Sequence, residues 1–178
     1  KLGKVKQCVV DKIEILMKQL GLTCEDRKCV LPALQKEQET GKPSVALELK
    51  NGTIITGKKS DLFEATSAAI INAIKYLARI PDDMPLLSFT IIEPIQSLKR
   101  KQLNKSSERL YLDEVLITLA ITGSTNAMAQ RALQQLSKLE GAQLHSTVML
   151  HSDDINLLKK LHIDVTTEAV QDTKLLQR

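Results

Sequence analysis

Aromatic side chains are scarce in this 178-residue sequence, which has two Phe, two Tyr and no Trp. The core must therefore be built from Leu, Ile, Val and Ala. Proteins that bind single-stranded nucleic acid combine a basic groove with several rings on which bases stack. Because this chain has so few rings and a net charge of only +4, we do not expect nucleic acid as a partner.

Long apolar runs and paired cysteines are also missing. No run reaches the roughly 18 apolar residues of a membrane-spanning helix, so we expect no membrane partner. The first residues, KLGKVKQ, lack the apolar block of a signal peptide. The three cysteines, Cys8, Cys24 and Cys29, are odd in number. We therefore expect reduced thiols and a cytoplasmic protein.

Metal-binding patterns are absent as well. Four residues separate Cys24 from Cys29, but the next cysteine is Cys8, and the three His residues lie far away in the sequence. A structural zinc site needs four ligands. We therefore expect neither a metal nor another cofactor, and interpret the cysteines as packed or exposed thiols.

The stretch KNGTIITGKKSD, residues 50–61, is close to a phosphate-binding P-loop. However, Asn51-Gly52 separates two runs of strand-forming residues, which predicts a β-hairpin with a type I′ turn and positive φ at both central residues. A P-loop would need a loop after its first Gly, and Ser or Thr in place of Lys59. We therefore predict a hairpin and not a nucleotide-binding loop.

Apolar periodicity predicts the other elements. The run after the hairpin is apolar on nearly all sides, which is typical of a buried helix, and Asp61 with Glu64 could form its capping box. The predicted elements are helices at 4–20 and 33–40, a hairpin at 44–57, a helix at 61–80, a strand at 84–89, helices at 90–104, 112–121 and 126–139, a strand at 142–150, a helix at 152–161 and a strand at 163–170.

This order predicts an α/β fold, a three-layer α-β-α arrangement with a mixed sheet of about five strands. A cytidine-deaminase-like topology has the same order. Zinc deaminases carry a His or Cys with a Glu on one helix and Pro-Cys-x-x-Cys on the next. The corresponding segments, SDLFEATSA and SFTIIEPIQ, contain Glu64 but no His or Cys, so we expect this topology without the zinc ligands. We divide the chain into a helical segment, 1–43, and an α/β domain, 44–178.

Open α/β sheets bind ligands at the carboxyl ends of their strands, and polar residues near predicted strand or helix ends are the candidates for such a site. They are Ser88, Thr90, Glu93, Thr125, Asn126, His145 and Ser146. Each has a structural alternative, a helix cap or a hydrogen-bonded histidine. Because successive residues of a strand point to opposite faces, His145 and Ser146 are not expected to form a nucleophile-base pair, and no catalytic residue can be named.

The basic run from Lys99 to Arg109 allows two interpretations. Its members are Lys99, Arg100, Lys101, Lys105 and Arg109. Basic residues favour helix C-termini, so we expect a solvated helix end; the alternative is a contact with an acidic partner or with nucleic acid.

Several phrases of the sequence are similar to one known family. LELKNGTIITGKKSDLFEATSAAIINAIKYLA, LDEVLITLAITGSTNAMAQRALQQL and GAQLHSTVML resemble the C-terminal part of an uncharacterised bacterial family catalogued as domain of unknown function 1846. The resemblance covers most of residues 4–170. It implies a longer protein with a large N-terminal part, of which this chain would be a fragment, and it carries no catalytic residues to this sequence.

Three functional readings follow. The first is a non-catalytic assembly or interaction domain, whose partner would be its own N-terminal region or further copies in a homo-oligomer. The second is a metal-free domain that binds a nucleotide or small anion. The third is part of an enzyme active site that the N-terminal region completes. The sequence alone leaves open whether the protein is an enzyme.

Overall fold

The computed structural model describes residues 5–104 and 107–172, which form a mixed α/β fold. The helices in these ranges are α1 (Gln7–Gln19), α2 (Val30–Thr40), α3 (Ala65–Leu77), α4 (Phe89–Lys101), α5 (Leu112–Gly123), α6 (Ala127–Leu133) and α7 (Ser152–Lys160), and the strands are β1 (Ser44–Glu48), β2 (Ile54–Lys58), β3 (Gln143–Ser146) and β4 (Asp164–Thr167). Short 3-10 helices occur at Cys24–Asp26 and Leu136–Leu139.

The strands form one mixed sheet in the order β2-β1-β3-β4. β1 is antiparallel to both of its neighbours, whereas β3 and β4 are parallel. The described residues therefore form a sheet of four strands, where the sequence predicted about five. β3 is an internal strand of the sheet, and the deaminase-like topology stays a prediction.

The segment at 84–89 accounts for one missing strand. Up to Ser88 it bends without regular secondary structure, although Leu86 and Leu87 are buried. The Ser88 side chain accepts a hydrogen bond from the Thr90 amide and caps α4, so the chain enters a helix where a strand would have to continue. A short apolar run can be buried as a loop as well as a strand.

The hairpin prediction is confirmed, but its turn differs from the predicted type. Only Gly52 has positive φ, 81°. The Gly52 amide donates to the Leu49 carbonyl at 2.8 Å, and the Leu49 amide donates to the Thr53 carbonyl at 2.9 Å. This is a three-residue loop that ends in a left-handed glycine, the next commonest hairpin connection after the two-residue turns. β2 continues to Lys58, so this stretch is a strand and not a P-loop.

α3 is the central helix of the fold. Nine of its 13 residues are buried, and a Cβ at Gly57 of β2 would lie 2.2 Å from the Ala69 backbone nitrogen. The helix begins at Ala65, because the Ser60 hydroxyl accepts from the Leu62 and Phe63 amides and makes a turn there. The predicted start at Asp61 is therefore wrong.

Helices cover both faces of the sheet. Val45, Leu47 and Leu144 face the larger core with α3, α5 and α7. Ala46, between them in the strand, faces a small cluster with Cys29 and Ala33 on the α2 side. Alternation along β1 thus separates two cores. The predicted boundary at residue 43 stays a prediction; α2 packs against both β1 and β2.

α1 differs from the other helices because it has no buried residue. Its apolar side chains and the two that flank it form an exposed set, with fractions between 42% and 71%. We call this set the α1 stripe, and its members are Val5, Val9, Ile13, Leu16 and Leu20. Ile15, also exposed, lies beside it.

Candidate functional site

The carboxyl ends of three strands meet at one edge of the sheet. β2 and β3 are both antiparallel to β1, and β4 is parallel to β3, so β2, β3 and β4 run in the same direction. The segments after them, 59–64, 147–151 and 168–172, therefore lie along this edge. Ligand sites of open α/β folds are usually found at such an edge.

The edge carries a group of charged side chains that we call the carboxyl-edge cluster: Lys59, Glu64, Arg109, Asp154 and Asp172. Lys59 is only 8% exposed. Its ammonium group contacts the Asp172 carboxylate and lies 3.5 Å from a Glu64 carboxylate oxygen. A buried lysine needs such partners, because removal of its charge from water is costly.

Glu64 and Arg109 connect the cluster to the neighbouring chain. The Ser107 hydroxyl donates to the Glu64 carboxylate at 3.4 Å, and Nε of Arg109 donates to the Ser60 carbonyl at 2.6 Å. Beside them is a cleft of about 470 Å³. The charged side chains that line it are Glu37, Lys42, Lys59, Asp61, Arg109 and Asp172. The three cations and three carboxylates suit a polar molecule that carries charges of both signs.

Asp154, in the first turn of α7, is buried. Burial raises the pKa of its carboxyl to about 6. The charges of Asp113 and Glu64 also raise this pKa, whereas a hydrogen bond with the Leu112 backbone and the charge of His151 lower it. A carboxyl with this pKa exchanges its proton near neutral pH, a property that is common among groups at functional sites.

Lys99 supports the same region from α4. Its side chain is 1% exposed and bonds to the Arg109 carbonyl and, at 2.6 Å, to the Glu114 carboxylate. Its ammonium also lies 4.5 Å from the centre of the Tyr111 ring. The interpretation of the basic run as a solvated helix end is therefore wrong for Lys99, which fixes the segment that carries Arg109.

Two other members of that run have ordinary surroundings. Arg100 pairs with Glu108 at 3.1 Å, and Lys101 is exposed. Lys105 lies outside the described residues. The run is thus divided between a buried support and surface charges, and its contact with an acidic partner stays a prediction.

Comparison with known proteins gives one consistent family. Residues 25–176 match the family described as Domain of unknown function DUF1846, C-terminal. The chain belongs to this family. It is 50% identical over 163 residues to the UPF0371 protein of Streptococcus thermophilus (strain CNRZ 1066), and 48% identical over 166 residues to the UPF0371 protein of Streptococcus pneumoniae serotype 19F (strain G54).

These relatives are much longer than the chain. The alignments cover 92% and 93% of this chain but only 33% and 34% of the two relatives. Since the family match is to a C-terminal domain, the resemblance seen in the sequence is confirmed. This chain corresponds to the C-terminal domain of a larger bacterial protein whose function is not known.

Of the residues predicted for a ligand site, Ser88, Thr90 and Glu93 lie at the exposed start of α4. Ser88 is its N-cap, and its hydroxyl lies 2.7 Å from that of Thr90. Ser88 therefore caps a helix, as its structural alternative predicted.

Thr125 and Asn126 lie at the other end of α5 from the carboxyl-edge cluster. The 12 residues of α5 separate them from its first turn by about 18 Å at 1.5 Å per residue. The Asn126 side chain accepts from the Met128 and Ala129 amides, so it caps α6 as its structural alternative predicted.

His145 and Ser146 lie on opposite faces of β3, as predicted, since they pair with Ala46 and Val45. Nδ1 of His145 lies 2.9 Å from the Thr166 hydroxyl, and Nε2 lies 3.3 Å from a Glu168 carboxylate oxygen. Burial lowers the histidine pKa, with Glu168 acting in the opposite direction and Arg27 in the same one.

The hydroxyl group of Ser146 is also hydrogen-bonded within the protein. Its hydroxyl donates to the Val148 carbonyl at 2.8 Å and accepts from the Val148 amide at 3.3 Å. The seven predicted site residues are thus divided among the start of α4, the α5–α6 turn and the two faces of β3, and the structure does not bring them together in one site.

Sequence reasoning missed Asp154 and Asp172 altogether. It treated Glu64 as a cap and Lys59 as a P-loop mismatch. Only the pairing of β2, β3 and β4 brings these distant residues together, and no local spacing signals it. Within 5–104 and 107–172, no three His, Cys, Asp or Glu side chains are grouped as a metal would require, and none of the helices described there is long and apolar enough to cross a membrane.

Proposed function

We propose that this chain is an assembly domain that docks, through the α1 stripe, on the region that precedes it in the longer UPF0371 relatives. The observation that carries the proposal is α1 itself. It is a helix of 13 residues without a single buried residue, and the members of the α1 stripe lie on one face of it.

Such a helix needs a partner. Isolated helices shorter than about 12–15 residues are marginal in water, and packing of an apolar face supplies most of their stability in proteins. Exposed apolar patches on proteins commonly mark interaction surfaces. The α1 stripe is therefore best explained as one side of an interface.

The preceding region is the favoured occupant. The family match begins at residue 25, so α1 lies between the conserved domain and whatever precedes it. The two relatives are about three times the length of the matched segment. A helix at this junction can pack against that region with no cost in free energy for bringing two molecules together.

Hydrogen exchange tests this proposal. We expect the amides of α1 to exchange rapidly in the 178-residue chain, and the aligned segment of the full-length S. thermophilus relative to be protected. Equal, rapid exchange in both proteins would refute docking. If sedimentation shows that the 178-residue chain is a dimer, the occupant is a second copy.

A variant pair locates the contact. In the relative, glutamates at the positions aligned with Ile13 and Leu16 should remove the protection. Glu at the position aligned with Lys18, on the opposite face of α1, makes the same change of two charge units in this sequence and should leave the protection unchanged.

We propose, as a second candidate function, that the cleft beside the carboxyl-edge cluster binds a small molecule with charges of both signs and is completed by the preceding region. The nearly buried Lys59 ammonium between two carboxylates favours it. A ligand screen by thermal shift should find compounds that stabilise the full-length relative more than this chain. Methionine at the position of the relative aligned with Lys59 should abolish that thermal shift. A shift that survives this substitution would exclude the cleft as the binding site.

Two further proposals concern the topology of the fold and the cellular location of the protein. We propose a deaminase-like arrangement without zinc, which the antiparallel β1-β2 pair followed by α3 and the parallel β3-α7-β4 unit support. We also propose a cytoplasmic location, which the three free thiols support. Secretion of the full-length relative by its host would refute the latter.

A further inference from the structure

A second and larger cleft, of about 740 Å³, lies along the outer edge of β2. Lys36 of α2 contributes to one wall and α3 to the other, and β2 forms the floor. We call it the β2 cleft. Its volume is in the range of small-molecule sites, and neither the proposed docking of α1 nor the carboxyl-edge cluster uses it.

α3 presents a polar row to this cleft. Tyr76 follows Asn72 by four residues, and Arg79 follows Tyr76 by three, so the three side chains lie on one side of α3 and of its C-terminal end. All three line the cleft. The Asn72 side-chain amide donates to the Thr56 carbonyl at 2.9 Å. Tyr76 is 47% exposed, and its hydroxyl lies 3.3 Å from that of Thr53. One aromatic ring is thus held at the wall and remains accessible.

The cleft is also positively charged. Lys36, Lys58 and Arg79 line it, against the single carboxylate of Asp82. Lys36 lies 3.6 Å from Glu39. Lys58 and Arg79 have no carboxylate within ion-pair distance in the part of the chain that the structure describes. Two cations are therefore available to an anion.

The edge of β2 adds backbone donors. The Leu49 amide bonds to the Thr53 carbonyl, and the Lys59 amide bonds to the Pro43 carbonyl. In an antiparallel pair the direction of the backbone groups alternates. The amides of residues 54, 56 and 58 therefore point away from β1, toward the open edge.

Arg79 occupies an unusual backbone position. Its φ is 54°, immediately after the C-cap of α3, and the next amide, of Ile80, donates to the Lys75 carbonyl at 2.9 Å. Glycine is the usual residue at this left-handed position, because a Cβ is disfavoured there. A long cation at a place that favours glycine is explained if the side chain has a task in the cleft.

We propose that the β2 cleft binds a mononucleotide, with the phosphates on Arg79 and the edge amides and the base stacked on Tyr76. Phosphate groups accept from guanidinium and backbone donors, and bases stack on aromatic rings. This site is not a P-loop, since the same stretch of chain offers the edge of a strand and not a loop.

Calorimetric titration of the 178-residue chain with ATP, ADP, AMP and inorganic phosphate tests the proposal. We expect at least one nucleotide to bind at least tenfold more tightly than phosphate. Arg79→Gly should weaken nucleotide binding at least tenfold while it raises the melting temperature, because the backbone strain is relieved. A purely structural arginine would not separate these two effects.

Two further variants complete the test. Tyr76→Phe should retain binding and Tyr76→Leu should lose it, which isolates the ring from the hydroxyl. Arg131→Gln, which removes one exposed positive charge on α6, should leave binding unchanged. No heat with any nucleotide, phosphate that binds as tightly as the nucleotides, or equal losses in the Arg79 and Arg131 variants would overturn the proposal.

Discussion

α1 and α3 are helices of equal length, 13 residues each, with opposite environments. α3 buries nine residues against the sheet, whereas α1 buries none. Both have the apolar periodicity of a helix. Periodicity therefore reports that a helix has an apolar face, but it does not report whether that face is covered within the same domain.

Composition separates the two helices better than periodicity. α3 contains small residues at its closest contact with the sheet, where Ala69 lies against Gly57. α1 has larger side chains in the α1 stripe and charged residues such as Lys18 on the opposite face, which is typical of a helix that contacts one surface only. We therefore expect α3 to stabilise the domain itself and α1 to form the proposed interface with the preceding region.

The largest contrast is expected from one pair of substitutions. Ile74→Ala in α3 removes a side chain with no exposed area and should lower the free energy of unfolding by about 4 kcal/mol, because it leaves a cavity. Ile13→Ala in α1 should change it by less than about 0.5 kcal/mol, as is usual for exposed sites. Urea unfolding of both variants measures this; equal losses would mean that α1 belongs to the same core.

Gly57→Ala should have the next largest effect. The new Cβ would lie 2.2 Å from the Ala69 backbone nitrogen, so α3 must move away from β2. We expect a loss of about 3 kcal/mol, at the upper end of the range for overpacking, since the contact is with backbone. Gly21→Ala, after α1, meets no atom within 4 Å; its φ is 67°, so about 1 kcal/mol is expected there. Similar melting temperatures for the two variants would contradict the close packing of α3.

A smaller effect, which depends on pH, is expected near the N-terminal end of α3. The Asp154 carboxyl has its pKa raised from 3.8 to about 6, so between these values the folded protein binds a proton that the unfolded chain lacks. The free energy of unfolding therefore falls as pH rises from about 4 to about 6. Asp154→Asn should stabilise the protein at pH 7 by about 2 kcal/mol, and not at pH 3.5.

The control for this prediction is Asp153→Asn, because its carboxylate, with 79% of the side chain exposed, lies beside Asp154 on the same helix. It removes the same charge from an exposed position, so its effect on the free energy of unfolding should depend less on pH between 3.5 and 7 than that of Asp154→Asn. Equal pH profiles for the two asparagine variants would show that burial does not control the titration of Asp154.

The smallest expected difference concerns the reactivity of the three cysteines, which can be measured without a change in the fold. Cys8 on α1 and Cys24 are exposed, whereas Cys29 is buried against Ala46. A thiol reagent should modify Cys8 and Cys24 rapidly, and Cys29 only when the protein unfolds. In the full-length relative, a cysteine introduced at the position aligned with Leu16, in the α1 stripe, should react slowly if α1 is covered; rapid modification would argue against docking.

Local signals predicted much of the fold. The Asn51-Gly52 turn, the apolar run of α3 and the internal strand β3 could all be read from neighbouring residues. The errors also have local causes: Ser88 caps α4, so that helix begins at Phe89, inside the segment predicted as a strand, and Leu86 with Leu87 is buried without forming a strand. Several nearby side chains can satisfy the same free amides, so the exact helix start is underdetermined.

The candidate sites could not be predicted in the same way. Lys59 meets Asp172 across more than one hundred residues, and Arg109 meets Ser60 across 49. These contacts depend on the order of the strands. The β2 cleft requires that β2 be the edge strand, which no pattern within residues 54–58 reveals.

The pairing of β1 also has a consequence for synthesis of the chain. β1 lies between β2, which follows it directly, and β3, which is made about one hundred residues later. While the ribosome produces α3 to α6, one side of β1 has no strand beside it, and unpaired edges promote aggregation. We therefore expect the nascent chain to be most prone to aggregation before residue 146 has left the exit tunnel.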